Sequence, residues 1–202
     1  MINLYHMNCM ELMLNKPDNA YDLAIVDPPY GIGANMQGSR PMGQMMKNKE
    51  WNNEVPDERF FNELMRVSRN QIIWGANYYS QHLPPSRCWV VWDKKQPEKC
   101  RFSMNELAYT SFKTTPLTFY SVPDRKDRIH PCQKPVSLYK WLLHHYAEKG
   151  NKILDTHLGS GSIAIACSDY GFDLDACEID FDYLSSARER LMRHEAQYKL
   201  FA

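Results

Sequence analysis

A chain of 202 residues, 44% apolar and 24% charged, has the length and composition of one globular domain with a sizeable core, which excludes a disordered, collagen-like or coiled-coil protein. Lysine plus arginine equals aspartate plus glutamate, 24 against 24, so no global positive field draws the chain onto nucleic acid, and any such affinity has to come from a local patch. The apolar runs, such as Leu23 to Val26 and Cys88 to Trp92, fall far short of the roughly 20 residues that a membrane span needs.

The first fifteen residues carry no Lys or Arg and are interrupted by Asn3, Asn8 and Glu11, which is not a secretory leader, so a cytoplasmic product is expected. Ile2 to Tyr5 reads as a strand and Leu23 to Val26 as a second. Residues 31–54 are polar and rich in Gly, Met, Asn and Lys, and so long a loop in a compact domain is as a rule functional or disordered. Pro56 and Asp57 then start a helix in which Phe60, Phe61, Leu64, Met65 and Val67 follow the i, i+3, i+4, i+7 spacing. Strands follow at Gln71 to Trp74, Cys88 to Trp92 and Glu106 to Phe112. Between Lys113 and Lys134 five basic residues (Lys113, Arg125, Lys126, Arg128, Lys134) face two acidic ones (Asp124, Asp127), with Phe119 and Tyr120 alongside. A helix with the stripe Leu138, Trp141, Leu142 and Tyr146 leads to a strand at Lys152 to Asp155. Ile163 to Tyr170 has helical spacing, Leu174 to Ile179 reads as a seventh strand, and Tyr183, Leu184, Ala187 and Leu191 mark a C-terminal helix. This alternation predicts a single α/β domain over residues 1–202, its mostly parallel sheet covered by helices on both faces. The six cysteines (Cys9, Cys88, Cys100, Cys132, Cys167, Cys177) form no CxxC pair, so reduced thiols and no metal site are expected.

Asp27-Pro28-Pro29-Tyr30 follows the second strand directly. Two prolines cannot continue a central strand, so the chain turns out at the carboxyl end of the sheet, where open α/β folds bind ligands. An aspartate beside a proline-fixed carbonyl makes a two-acceptor clamp suited to an exocyclic amine, and the tyrosine offers a flat face to a base. The bland alternative is a strand-ending turn with a capping Asp. Asp155-Thr156-His157-Leu158-Gly159-Ser160-Gly161-Ser162 forms a second strand-to-helix turn, where glycines let the backbone approach a ligand. Glu178, about 20 residues on at the end of the next strand, is placed to take both hydroxyls of a ribose. The third glycine of G-x-G-x-x-G is missing, which favours a nucleoside without a pyrophosphate over a dinucleotide. A tight turn with an acidic strand end is the alternative.

Together with His130-Pro131-Cys132-Gln133-Lys134-Pro135, these motifs resemble the DNA amino-methyltransferases that move a methyl from S-adenosylmethionine to adenine N6 or cytosine N4. Their order, D-P-P-Y first, then H-P-x-Q-K-P, then the glycine motif, is that of the permuted beta branch, and the resemblance runs from about Ile2 to Tyr183. It implies a Rossmann-like seven-stranded methyltransferase fold with Asp27, Pro28, Pro29 and Tyr30 as the catalytic motif. Cofactor contacts are implied for Asn8, Asp27, Gln133, Lys134, Asp155, His157, Gly159, Ser160, Gly161, Ser162 and Glu178. Asn8 stands where the family often has Asp, and His157 where it has Phe; a core or solvent-facing histidine is the alternative there. D-P-P-Y tilts the target toward adenine, with cytosine as rival and a catalytically silent DNA-binding protein of the same fold as a second class. The partner is then DNA, with Tyr30 stacking on an extruded base, and a homodimer is allowed. Arg40, Lys47 and Lys49 in segment 31–54, and Lys113, Arg125, Lys126 and Arg128 in segment 113–129, are the candidate DNA contacts. So brief a recognition segment implies a short or relaxed target sequence.

Overall fold

The computed structural model describes residues 1–32, 54–100, 103–124 and 128–199. Strand β1 (Ile2–His6) is followed by α1 (Cys9–Leu14), β2 (Tyr21–Val26), α2 (Glu58–Val67), β3 (Ser68–Trp74), β4 (Trp89–Asp93), β5 (Asn105–Thr110), β6 (Leu117–Tyr120), α3 (Val136–Tyr146), β7 (Lys152–Asp155), α4 (Ser162–Tyr170), β8 (Asp173–Glu178) and α5 (Phe181–Lys199). The strands form one sheet in the order β1-β8-β7-β2-β3-β5-β4-β6. From β1 to β3 every pairing is parallel, β5 runs antiparallel to β3 and β4, and β6 pairs parallel with β4. This is the expected α/β architecture with one strand more. β6 lies inside the segment expected to be a DNA-contacting loop, and its alternating exposure marks a half-covered edge strand.

Alternation along β2 shows how both faces are filled. Leu23 and Ile25 point into a core shared with Leu138 and Leu142 of α3, Ile163 of α4 and Leu184 of α5. Ala24 and Val26 point the other way, toward Leu12 of α1 and Phe60, Phe61 and Leu64 of α2. A strand buried on both sides reads as a continuous apolar run, and Leu23 to Val26 are each at most 1% exposed. The start signal of α2 is realised as an N-cap, with Asp57 accepting the Phe60 N–H at 3.2 Å. Helix α1, absent from the elements expected from the sequence, is capped by Asn8, whose side-chain oxygen accepts the Met10 N–H at 2.8 Å. At the amino end of the sheet, buried Asp175 gathers Tyr21, Asn3, Lys152 and Lys16, and these partners overcome burial to hold its carboxyl down at about 2. Among the described residues no helix is long and apolar enough to cross a membrane.

Candidate active site

β2 delivers Asp27 to the carboxyl end of the sheet. Val26, opposite Ile73, is the last paired residue, because Pro28 and Pro29 bring no N–H to continue the ladder. Asp27, Pro28, Pro29 and Tyr30 line a cavity of about 290 Å³. Asn8 from the β1–α1 turn, Lys134 from the segment before α3, His157, Gly159 and Ser160 from the β7–α4 turn, and Glu178 from the end of β8 line it as well. Sequence motifs and an acidic strand end spread over about 150 residues therefore meet in one hollow, Asp27 just after β2 and Glu178 at the end of β8, strands separated only by β7.

A chain of charges runs through the wall of this cavity. Lys134 Nζ lies 2.5 Å from Asp27 Oδ2 and 3.0 Å from Glu106 Oε2, and Glu106 Oε1 lies 2.5 Å from Lys94 Nζ. Lys134 is 2% exposed and also sits over the rings of Trp74 and Tyr30 at 5.2 and 5.7 Å. Burial pulls its ammonium down, but Asp27 and Glu106 outweigh burial and hold it above the usual lysine range. Burial likewise pushes the Glu106 carboxyl up, and Lys134 and Lys94 reverse this and hold it at about 2. Asp27 is caught between the same forces: burial pushes its carboxyl up, Lys134 pulls it down and Glu106 pushes it up again. The net direction is upward, while the ion pair favours the charged form that accepts hydrogen bonds. Neither Glu106 nor Lys94 was marked by the sequence, since nothing local distinguishes them.

Tyr30 is fixed on both sides. Its hydroxyl donates to Asp27 Oδ1 at 2.6 Å and accepts from Lys134 at 3.2 Å. Its ring stacks on Tyr78, with centroids 5.1 Å apart and planes 16° from parallel. The edge of the ring is seated on Gly75, which has φ +70°, and a Cβ there would lie 2.1 Å from Tyr30 Cε1. Gly75 is thus required twice, by its backbone and by the ring it must admit.

The second motif is built around Glu178. Its Oε2 accepts the Gly159 N–H and its Oε1 the Asp180 N–H, both at 2.9 Å. Burial raises its carboxyl, against these backbone donors. His157 donates its backbone N–H to Asp155 at 3.0 Å, and its ring packs edge-on against Phe60. Burial lowers the imidazole to about 4, so it lines the cavity as a neutral ring. Arg190 of α5 staples the turn, bonding the Ser160 carbonyl and the Ser162 hydroxyl, each at 2.9 Å.

Not every residue named from the sequence lines this cavity as described. Gln133 turns inward, its Oε1 accepting the Ile129 N–H at 3.1 Å. Asp155 is 2% exposed and braces the turn, with burial pushing its carboxyl up to about 8. Gly161 packs against α5, where a Cβ would meet that of Ala187 at 2.9 Å, and Ser162 serves Arg190. These four shape the motif from behind. Asn8 lines the cavity with its carbonyl oxygen already committed to the α1 cap. Met7, Cys9, Tyr139, Ile179 and Tyr183 line it unannounced by the motifs. Of the candidate DNA contacts, Arg40, Lys47, Lys49, Arg125 and Lys126 lie outside the described residues. Lys113 is exposed, and Arg128 is half-buried with its guanidinium on the Pro131 carbonyl at 2.5 Å.

A family model described as DNA methylase matches residues 68–189. Among curated proteins, the type II methyltransferase M.HpaI of Haemophilus parainfluenzae is 21% identical over 226 residues, spanning 91% of this chain and 72% of that protein. Among solved structures, M1.HpyAVI in its SAM complex superposes with a TM-score of 0.62 at 17% identity, covering 95% of this chain and 99% of that one. The cytosine-N4-specific PvuII DNA methyltransferase does so with a TM-score of 0.61 at 11% identity, covering 97% and 92%. At such identities the structural likeness carries the fold.

Proposed function

The chain belongs to the DNA methylase family, and from that premise we propose that it transfers a methyl group from S-adenosylmethionine to N6 of adenine in DNA. The observation that carries this reading is that Asp27 and Pro28, the two acceptors an exocyclic amine needs, line the same cavity as Glu178 and the glycine turn.

The residues present fit the cofactor. Glu178 lines the cavity with a carboxylate that can accept from the hydroxyls of a ribose, Met7 and Ile179 give an apolar flank, and carboxylates with aromatic rings suit a cationic sulfonium. When bound, S-adenosylmethionine supplies an electrophilic methyl group open to in-line attack. The protein's part is to prepare the nucleophile. An exocyclic amine is a poor one because its lone pair is conjugated into the ring. Accepting one N–H at the Asp27 carboxylate and one at the Pro28 carbonyl localises that lone pair and stabilises the positive charge that develops on nitrogen. Tyr30, kept protonated because burial raises its phenol well above the usual value, offers its ring to the extruded base. Alignment of two bound partners in a sheltered cavity supplies the rest of the acceleration.

The stretch between β5 and His130 is short, and β6 occupies part of it. This supports a short or relaxed recognition sequence. Adenine rather than cytosine rests on D-P-P-Y, and incubation with cofactor and mixed-sequence DNA, followed by mass spectrometry of the nucleosides, tests it. N6-methyladenine is the expected product; N4-methylcytosine would move the chain to the other branch, and no methylated base would leave a silent binding protein.

Two variants follow from the geometry. Gly75→Ala, which drives a Cβ into the Tyr30 ring, is expected to lower kcat on the order of 10²-fold, the usual cost of misplacing a reacting group by about an ångström. Cofactor affinity should be unchanged by calorimetric titration. Gly159→Val should do the reverse. Gly159 has φ +50° and donates to Glu178, so a β-branched residue there is expected to weaken cofactor binding first, and unchanged affinity would remove this turn from the site.

A further inference from the structure

Lys134 is shared between two carboxylates, although the chemistry proposed for the site uses only one of them. Glu106 enters from β5, far in sequence from both motifs, and reaches Lys134 Nζ at 3.0 Å. Its other oxygen is held by Lys94 at 2.5 Å, at the end of β4. The four charges sum to zero, and each of the four side chains is less than one-fifth exposed. Were Lys134 given to Asp27 alone, the carboxylate would be locked in a closed ion pair and would be a weak acceptor for an incoming amine. We propose that Glu106 is a positioning residue of the methyl-transfer site: by sharing Lys134, with Lys94 as its own counter-ion, it weakens the closed ion pair and leaves the Asp27 carboxylate able to accept the target N–H. This rests on Asp27 being the acceptor of that amine.

The groups that face Asp27 permit a clean test. Tyr30, Tyr79 and Tyr139 keep their protons, because burial raises each phenol above its usual range. Burial pushes the Cys132 thiol up to about 12 and the Asp155 carboxyl up to about 8, so both are neutral through the acid range. Lys134 and Glu106 remain as the charged neighbours, and the acid limb of kcat against pH reports Asp27 in their field. Removing the Glu106 charge makes that field more positive and favours ionised Asp27, so the limb moves to lower pH. Removing the Lys94 charge does the opposite.

The experiment is methyl transfer from labelled S-adenosylmethionine to sheared plasmid DNA, followed across pH 5 to 9 (roughly the span in which protein carboxyls and histidines of shifted pKa titrate), with thermal unfolding of each variant. Glu106→Gln is expected to lower kcat by about tenfold, the lower end of what losing an outer partner of a functional group costs, with cofactor affinity and KM for DNA unchanged. Its acid limb should move down, that of Lys94→Gln up, and Glu106→Asp should return the limb toward the parent. A merely structural role would lower thermal stability and leave the limb in place. Limbs that stay fixed, or move the same way in both charge variants, overturn the proposal, and Lys94→Gln keeps it testable if Glu106→Gln does not fold. Active Asp27→Ala would instead overturn the underlying reading, whereas inactive Asp27→Ala with an unshifted Glu106→Gln overturns this inference alone.

Discussion

Asp27→Ala is expected to reduce methyl transfer by about 10²- to 10³-fold or more, the scale on which a preorganised partner for developing charge is lost. Cofactor affinity should survive, because Glu178 and the glycine turn are placed by the ends of β8 and β7 and not by Asp27. The variant should also fold. Lys134 loses one carboxylate but keeps Glu106 at 3.0 Å, so no buried charge is stranded. Turnover with a filtered or scintillation assay and cofactor titration read the two effects separately. Joint loss of both, with a lowered unfolding temperature, would report a misfolded protein.

Lys134→Met tests the opposite side of the same pair and should act on stability first. The ammonium is 2% exposed, and its removal leaves Asp27 and Glu106 facing one another with no cation between them. Breaking a buried pair by removing one partner costs about 3–5 kcal/mol, a large share of the roughly 5–15 kcal/mol that holds a domain together. The pH dependence carries the signature. Without Lys134 the Asp27 carboxyl, already pushed up by burial, loses the cation that pulls it down, while Glu106 keeps Lys94, so the deficit is largest at neutral pH and shrinks as the pH falls and Asp27 takes up a proton. In the parent the Glu106 carboxyl behaves in the other sense. Glu106, held at about 2, contributes stability above its unfolded value near 4.5, and that contribution is lost as pH falls toward 2. Urea midpoints at pH 5 and 7.5 (on either side of the range in which a carboxyl raised by a few units titrates) should therefore differ more between variant and parent at the higher pH. A deficit independent of pH would mean that Lys134 contributes packing and not charge.

What the sequence disclosed depended on how local each signal is. Asp27 to Tyr30 were legible because two prolines after an apolar run dictate where a strand must end, whatever surrounds it. Gly159 and Glu178 were legible because a strand, a tight turn and a helix recur within some twenty residues. Gln133 and Asp155 belong to the same motifs, yet their side chains close the turns on which the motif stands, and spacing does not tell a lining residue from one that braces it from behind. Gly75, Tyr78, Lys94 and Glu106 were silent for a different reason. They reach the site on or beside β3, β4 and β5, where the sheet turns antiparallel, and only the register Ile73 to Tyr109 and Trp92 to Glu106 brings them together. β6 was missed because Leu117 and Phe119 alternate with polar residues in a segment whose basic charge suggested an exposed loop.

The account stands or falls on where the target amine goes. A crystal structure of the complex with S-adenosylhomocysteine and a DNA oligonucleotide carrying the methylated site's base should place the exocyclic nitrogen about 2.9 Å from an Asp27 carboxylate oxygen and from the Pro28 carbonyl, ordinary N–H to O distances. The ribose should lie at Glu178, and the ring against Tyr30. A base held elsewhere in the cavity, with its amine beyond hydrogen-bond reach of Asp27, would contradict it.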